Sequence, residues 1–111
     1  MSDQVILALT TCPDEASAQA VAAALVQERL ATCVNRIGGM RSTYFWDARL
    51  QDETEILLII KTAAGRLDEL QARLSALHPY ELPELLTIEV AGGNERYLDW
   101  VRMGVRDKSE P

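Results

Sequence analysis

The chain has one histidine, one phenylalanine and two cysteines in 111 residues. Each scarcity removes a class of answer. Cys12 and Cys33 match no zinc or thioredoxin spacing, and two thiols cannot staple a disulfide scaffold; both read as small buried hydrophobes in a reducing compartment. Basic residues are also scarce, with 11 Lys and Arg against 17 Asp and Glu for a formal net charge of −6. A nucleic-acid binder would carry a basic patch. No basic n-region precedes the opening apolar stretch, and no apolar run is long enough to span a bilayer, so neither a signal peptide nor a membrane segment is expected and the cytoplasm is the predicted compartment. No Ser-His-Asp pattern and no phosphate-cradling glycine loop appears, and the expectation is a protein that is not an enzyme.

What is present suffices for a core. Apolar residues make up 48% of the chain, which fits one domain over 1–111, ordered from about 4 to 104, with 105–111 as a flexible tail. "QVILALTTC" reads as a strand ended by Pro13. "PDEASAQAVAAALVQERLA" reads as a helix with an acidic start and an apolar face of Ala20, Val21, Ala24 and Leu25. "TCVNRIGGMRSTYFWD" predicts a long strand bulged at Gly38-Gly39, and "DAR" a tight turn. "LQDETEILLIIKT" predicts a returning strand whose run from Ile56 to Ile60 is covered on both faces. "AGRLDELQARLSALH" carries a stripe of Leu67, Leu70, Leu74 and Leu77, with Glu69 and Arg73 spaced to pair, and Pro79 stops it at His78. "LLTIEV" is a fourth strand, and "GGNERYLDWVRMGV" a helix capped near Asn94.

The order β-α-β-β-α-β plus a C-terminal helix is the ferredoxin-like split βαβ arrangement of the α+β class, with a long hairpin between strands two and three. Long hairpins leave unpaired edges, and a second copy of the chain is the simplest cover. Right-handed crossovers bring three connections to one end of the sheet: Thr10 to Glu15, the Trp46 hairpin, and "HPYELPE" from His78 to Glu84. With strand four beside strand one, Cys12 and His78 become neighbours, while Cys33 starts strand two at the far end, too distant for an intrachain disulfide. Cys12 and His78, with Glu81 as an oxygen donor, are the candidate metal ligands, suited to copper or zinc, although a zinc site takes three or four donors. Tyr44, Phe45 and Trp46 are candidates for the wall of a ligand cleft at the tip of strand two; Lys61 is an interface cation or snorkels to water. The bland alternative for each is strand packing and a proline-stiffened connector.

"LTTCPDEASAQAVAAALVQERLATCVN", "STYFWDARLQDETEILLIIKT", "LHPYELPELL" and "GNERYLDWV", in that order, resemble the blocks of the CutA divalent-cation tolerance proteins over nearly the whole chain. The resemblance implies a homotrimer related in assembly to the PII signalling proteins, and an inter-subunit cleft beside the "HPYE" connector, lined by Tyr44, Trp46, Lys61, Tyr80 and Glu84. It also implies binding of copper(II) or another divalent cation; the competing expectation is a PII-like ligand-sensing or interaction module with no physiological metal. Some family members place metal donors at the positions of Thr10, Leu77 and His78; here the first two hold threonine and leucine. Two relatives by fold are excluded: a copper chaperone needs paired cysteines in the first loop, and an acylphosphatase needs an arginine-bearing glycine loop where this chain reads "TTCPDE".

Overall fold

A computed structural model describes residues 3–106. Its elements are β1 (Val5–Cys12), α1 (Glu15–Gln27), β2 (Cys33–Trp46), β3 (Arg49–Ala63), a single 3-10 turn (Ala64–Arg66), α2 (Leu67–Leu77), β4 (Leu86–Glu89) and α3 (Glu95–Gly104). The strands form one antiparallel sheet in the order β2-β3-β1-β4. This is the ferredoxin-like arrangement that the element order predicts.

The helices start where local chemistry supplies a cap. The Asp14 carboxylate accepts the Ser17 amide at 2.8 Å, and the Asn94 side chain accepts the Tyr97 amide at 3.1 Å; such caps contribute about 1 kcal/mol each. α1 buries Ala18, Val21, Ala22 and Leu25. The apolar face is therefore rotated from the predicted one, and Ala20 points outward. In an alanine-rich helix the periodicity of small residues is weak, and the sheet selects the face. α2 buries Leu70 and Leu74, with Leu77 packed against the same cluster. The predicted Glu69–Arg73 pair does not form: Arg73 reaches Glu28 of α1 at 2.8 Å, and Glu69 pairs with Arg66 at 3.0 Å. Tertiary proximity offers Arg73 a better partner than its own helix does.

The main core lies between the helices and one sheet face, built from Ala8, Cys12, Leu58, Ile60, Val21, Leu25, Leu70 and Leu74 among others. Ile56, Leu58 and Ile60 are buried, whereas Leu57 and Ile59 are only half-buried. The expectation that this run is covered on both faces does not hold within one chain. Only α3 covers the second face, at one end, where Val5, Leu98 and Val101 make a small cluster. Val105, expected in a tail, is 3% exposed and follows α3 directly. Residues 107–111, the rest of the expected tail, lie outside the described residues.

The β2–β3 hairpin outruns the sheet. Pairing to β1 ends at Cys12 opposite Ile56, yet β2 and β3 stay paired to Trp46 opposite Arg49. That arm is roughly 20 Å long at the usual strand rise. Between Ile37 and Met40 the register shifts, and Gly39 takes φ +80°. One extra residue in β2 reverses its side-chain parity. Ile37 below the bulge and Ser42, Tyr44 and Trp46 above it therefore share a face with Leu57, Glu55 and Glu53 of β3. The arm closes in a two-residue turn, Asp47-Ala48, both with positive φ.

Candidate functional site: an acidic, aromatic cleft

α2 ends because Pro79 forbids helical backbone at the residue before it. His78 takes φ −75° and ψ 139° while its amide still donates to the Leu74 carbonyl. Its ring then turns back onto β1. The Tyr80 amide donates to Nδ1 at 3.1 Å, and Nε2 lies 2.6 Å from the Thr11 carbonyl oxygen. A nitrogen that accepts an amide hydrogen carries none itself, so Nε2 holds the proton and donates it to Thr11. Both ring nitrogens are thus committed, and the imidazole, only 7% exposed, rivets the connector to the end of β1.

Cys12 Sγ lies 3.7 Å from His78 Nε2, so the two residues meet as the topology predicts. The thiol is fully buried. Burial pushes its pKa up, and the nearby charges of Asp14 and Glu55 act in the same sense against a Ser17 hydrogen bond. A thiol held protonated and away from solvent is a poor nucleophile. Cys12 and Cys33 are both free.

Beyond the rivet, residues 79–84 cross in front of the hairpin arm and enclose a cleft of about 790 Å³. Thr11, Ser42, Tyr44 and Trp46 come from the strands, with Glu53 and Glu55 beside them; Tyr80, Glu81, Leu82 and Glu84 come from the connector. Glu55 is 6% exposed. The Tyr80 hydroxyl donates to its Oε2 at 2.7 Å. Burial first, then the Glu55 hydrogen bond, holds the Tyr80 phenol well above the ordinary tyrosine range. Glu84 is also raised, by burial and then by the Glu55 charge. Among the described residues no lysine or arginine lines the cleft, and no ion pair involves Glu53, Glu55, Glu81 or Glu84.

The family model described as CutA1 divalent ion tolerance protein matches residues 6–103. The divalent-cation tolerance protein CutA of Thermus thermophilus is 45% identical over 94 residues, covering 85% of this chain and 91% of that protein. Its namesake from Pectobacterium atrosepticum is 39% identical over 106 residues, 96% of each. This chain belongs to the CutA1 divalent ion tolerance family. The fold agrees: the crystal structure of CutA from Xylella fastidiosa superimposes with a TM-score of 0.91 at 43% identity, covering 93% of this chain and 99% of that one. CutA1 from Oryza sativa does so with 0.91 at 35% identity, covering 95% and 96%.

The structure brings the predicted site residues of this family member into two groups. Cys12 and His78 form one; Tyr44, Trp46, Tyr80, Glu81 and Glu84 share the cleft. Lys61 joins neither within the chain: it pairs across to Leu7 and Cys33 at the far end of the sheet, and its Nζ meets the Tyr97 hydroxyl at 3.1 Å. That hydrogen bond is the leading cause of its raised pKa.

A divalent metal, which the family description invokes, fits these residues only in part. Two ligands of one tetrahedral zinc, at about 2.3 Å for sulfur and 2.1 Å for nitrogen, stand roughly 3.6 Å apart. The Cys12–His78 spacing matches. The match stops there, because Nε2 must surrender Thr11, the thiol must ionise against its burial, and no His, Cys, Asp or Glu group of three or more among the described residues converges on a metal position. Thr10, which stands where some family members place a donor, has a buried hydroxyl without a hydrogen-bond partner among the described residues, but it is not a soft donor.

Glu53, Glu55 and Thr11 were not among the expected site residues. The signal was present: "DETE" precedes the apolar run of β3 and alternates acidic side chains onto one face. The sequence does not say that this face closes against residues 79–84.

Proposed function

We propose that this chain is a homotrimeric binding protein of divalent-cation tolerance type, not an enzyme, whose ligand site is the acidic, aromatic cleft at the hairpin arm. The observation that carries the reading is the cleft itself, which gathers Glu53, Glu55, Glu81 and Glu84 around aromatic walls, with no basic side chain from the described residues of the same chain. Such a site attracts cations and repels phosphates. Oligomerisation is supported by the uncovered sheet face. Ile37, Leu86 and Ile88 on that face and Phe45, Trp46 and Leu50 on the arm are all about half exposed or more. Exposed apolar side chains on the open sheet face and on both faces of the arm support contact with other copies of the chain. β2 is an edge strand 14 residues long, and pairing with a neighbouring copy satisfies its free backbone groups. Among the described residues no helix is long and apolar enough to cross a membrane. Its two free thiols support a reducing compartment, the cytoplasm.

A second reading, copper(II) or another divalent metal bound between subunits, is favoured by the Cys12–His78 spacing of 3.7 Å. A neighbouring chain would supply the remaining donors. Titration of the metal-free oligomer with copper(II) and zinc(II), with His78→Ala and Glu55→Gln alongside, separates the readings. Binding lost only in the histidine variant assigns the metal to the Cys12–His78 pair. Binding lost only in the glutamate variant assigns cations to the cleft. Sedimentation equilibrium tests the trimer, and a monomeric protein at micromolar concentration refutes it.

A further inference from the structure

His78 is the one histidine of the chain, and a metal at the Cys12–His78 pair would make it a ligand. A histidine that holds a metal keeps one ring nitrogen bare for the ion and donates the hydrogen on the other to a fixed acceptor. Both ways of meeting that demand fail here. With the ion on Nδ1 and the hydrogen on Nε2, the ion must displace the Tyr80 amide, which donates to Nδ1 at 3.1 Å. With the ion on Nε2, the side of Cys12, the ring hydrogen moves to Nδ1 and meets the Tyr80 N–H as donor against donor. The Thr11 carbonyl, 2.6 Å from Nε2, loses that donor as well. These bonds are internal to one chain, and His78 is buried; another copy covering the surface leaves them as they are.

The 3.7 Å separation of Cys12 Sγ from Nε2 has an explanation without metal. The Nε2 hydrogen points to Thr11, and the thiol sulfur stands beside that oxygen as a weak second acceptor. What the imidazole does is positional. Its Nδ1 accepts from the amide two residues on, the bond an asparagine makes in an Asx turn. Asparagine would stop there, whereas imidazole carries a donor on its far edge and reaches β1. Tyr80 packs against the His78 ring at 4.9 Å between centroids, and its hydroxyl donates to Glu55 at 2.7 Å. β1, the connector and β3 are thus joined in series through one ring.

We infer that His78 is a positioning residue, the pin that sets Tyr80 and the connector against β3, and that no divalent ion is held through its imidazole in this family member. The inference is independent of the reading of the cleft as the ligand site and excludes the Cys12–His78 metal.

The test is nitrogen NMR of the histidine ring in the full-length, metal-free oligomer at mildly alkaline pH, before and after excess zinc(II). The single histidine makes the ring signals unambiguous. The expected result is hydrogen on Nε2 and a bare Nδ1, unchanged by zinc(II). Amide exchange reads the pin: His78→Ala speeds exchange at Tyr80 by roughly tenfold or more, the usual worth of one hydrogen bond, and His78→Asn restores much of the protection. Should His78→Ala not assemble, the ring signals and His78→Asn carry the test. Hydrogen on Nδ1 in the metal-free protein overturns the inference. So does zinc(II) that shifts the hydrogen to Nδ1, zinc(II) binding lost in His78→Asn, or a Tyr80 amide as well protected in His78→Ala as in wild type. Zinc(II) binding that is lost only in Glu55→Gln, with the ring signals unmoved, supports the pin and the cation cleft together. An absence of zinc(II) binding with the ring as expected supports the pin and counts against the cleft.

Discussion

Replacing Tyr80 with phenylalanine removes one oxygen from the middle of the candidate site. The ring stays, still packed at 4.9 Å centroid distance on His78, so little apolar contact is lost. What goes is a 2.7 Å hydrogen bond to a carboxylate on a residue only 6% exposed. Hydrogen bonds to charged groups contribute about 1.5–3 kcal/mol. The cleft is open enough to let a water replace the phenol, which moves the expected loss to the low end of that range or just below it, about 1–2 kcal/mol. For a domain of this size that is a fall of very roughly 4–15 °C in Tm. The assay is urea unfolding of wild type, Tyr80→Phe, Glu55→Gln and the double variant at one protomer concentration, because oligomers gain stability by mass action. The coupling energy should be about 1 kcal/mol or more. The pH dependence follows from the sign of the shift. The folded phenol lies above its unfolded value, so folding favours the protonated form. The Tyr80 contribution is fully present below the unfolded value of about 10 and fades as pH rises through the folded value. The gap between wild type and Tyr80→Phe should therefore stay constant from neutral pH to about 10 and shrink only above it. A loss under about 0.3 kcal/mol, or a coupling energy near zero, would refute the claim that Tyr80 holds Glu55 in place.

Leu58, fully buried between β1 and β2, should cost about 2–5 kcal/mol when changed to alanine, and an unchanged urea midpoint would place it outside the core. Ala48 holds φ 60° in the hairpin turn, and Ala48→Gly should stabilise the protein by about 0.5–1 kcal/mol, read as a raised Tm. Gly104 faces Thr32 with no room for a Cβ, and the Thr32 hydroxyl donates to the Val101 carbonyl. Gly104→Ala should loosen α3, seen as faster amide exchange at Val101 and Val105 while β1 and β3 keep their protection.

Element order and type were legible because they rest on local signals. Pro13 and Asp14 mark the start of α1, Pro79 marks the end of α2, and the apolar run of β3 marks a central strand. The bulge at Gly38-Gly39 was legible too, since paired glycines inside a strand pattern have few other uses. The meeting of Cys12 with His78 followed from topology alone, through the handedness of the crossovers. The face of α1 and the partner of Arg73 were not legible. Alanines and exposed charges are nearly indifferent locally and take whatever neighbour the packed chain presents.

The site divides along the same line. The sequence by itself determined that an imidazole, a phenol and carboxylates sit on a stiff connector, and that a long acidic-aromatic hairpin exists. Only the tertiary structure decided that His78 is spent as a rivet, that Lys61 lies at the far end of the sheet, and that Glu53 and Glu55 face Tyr80 across a cleft. Local propensity acts over a few residues and fixes elements. A binding site is a long-range object, and one inserted residue in β2, which sets the side-chain parity of the whole arm, decides which chemistry points into it.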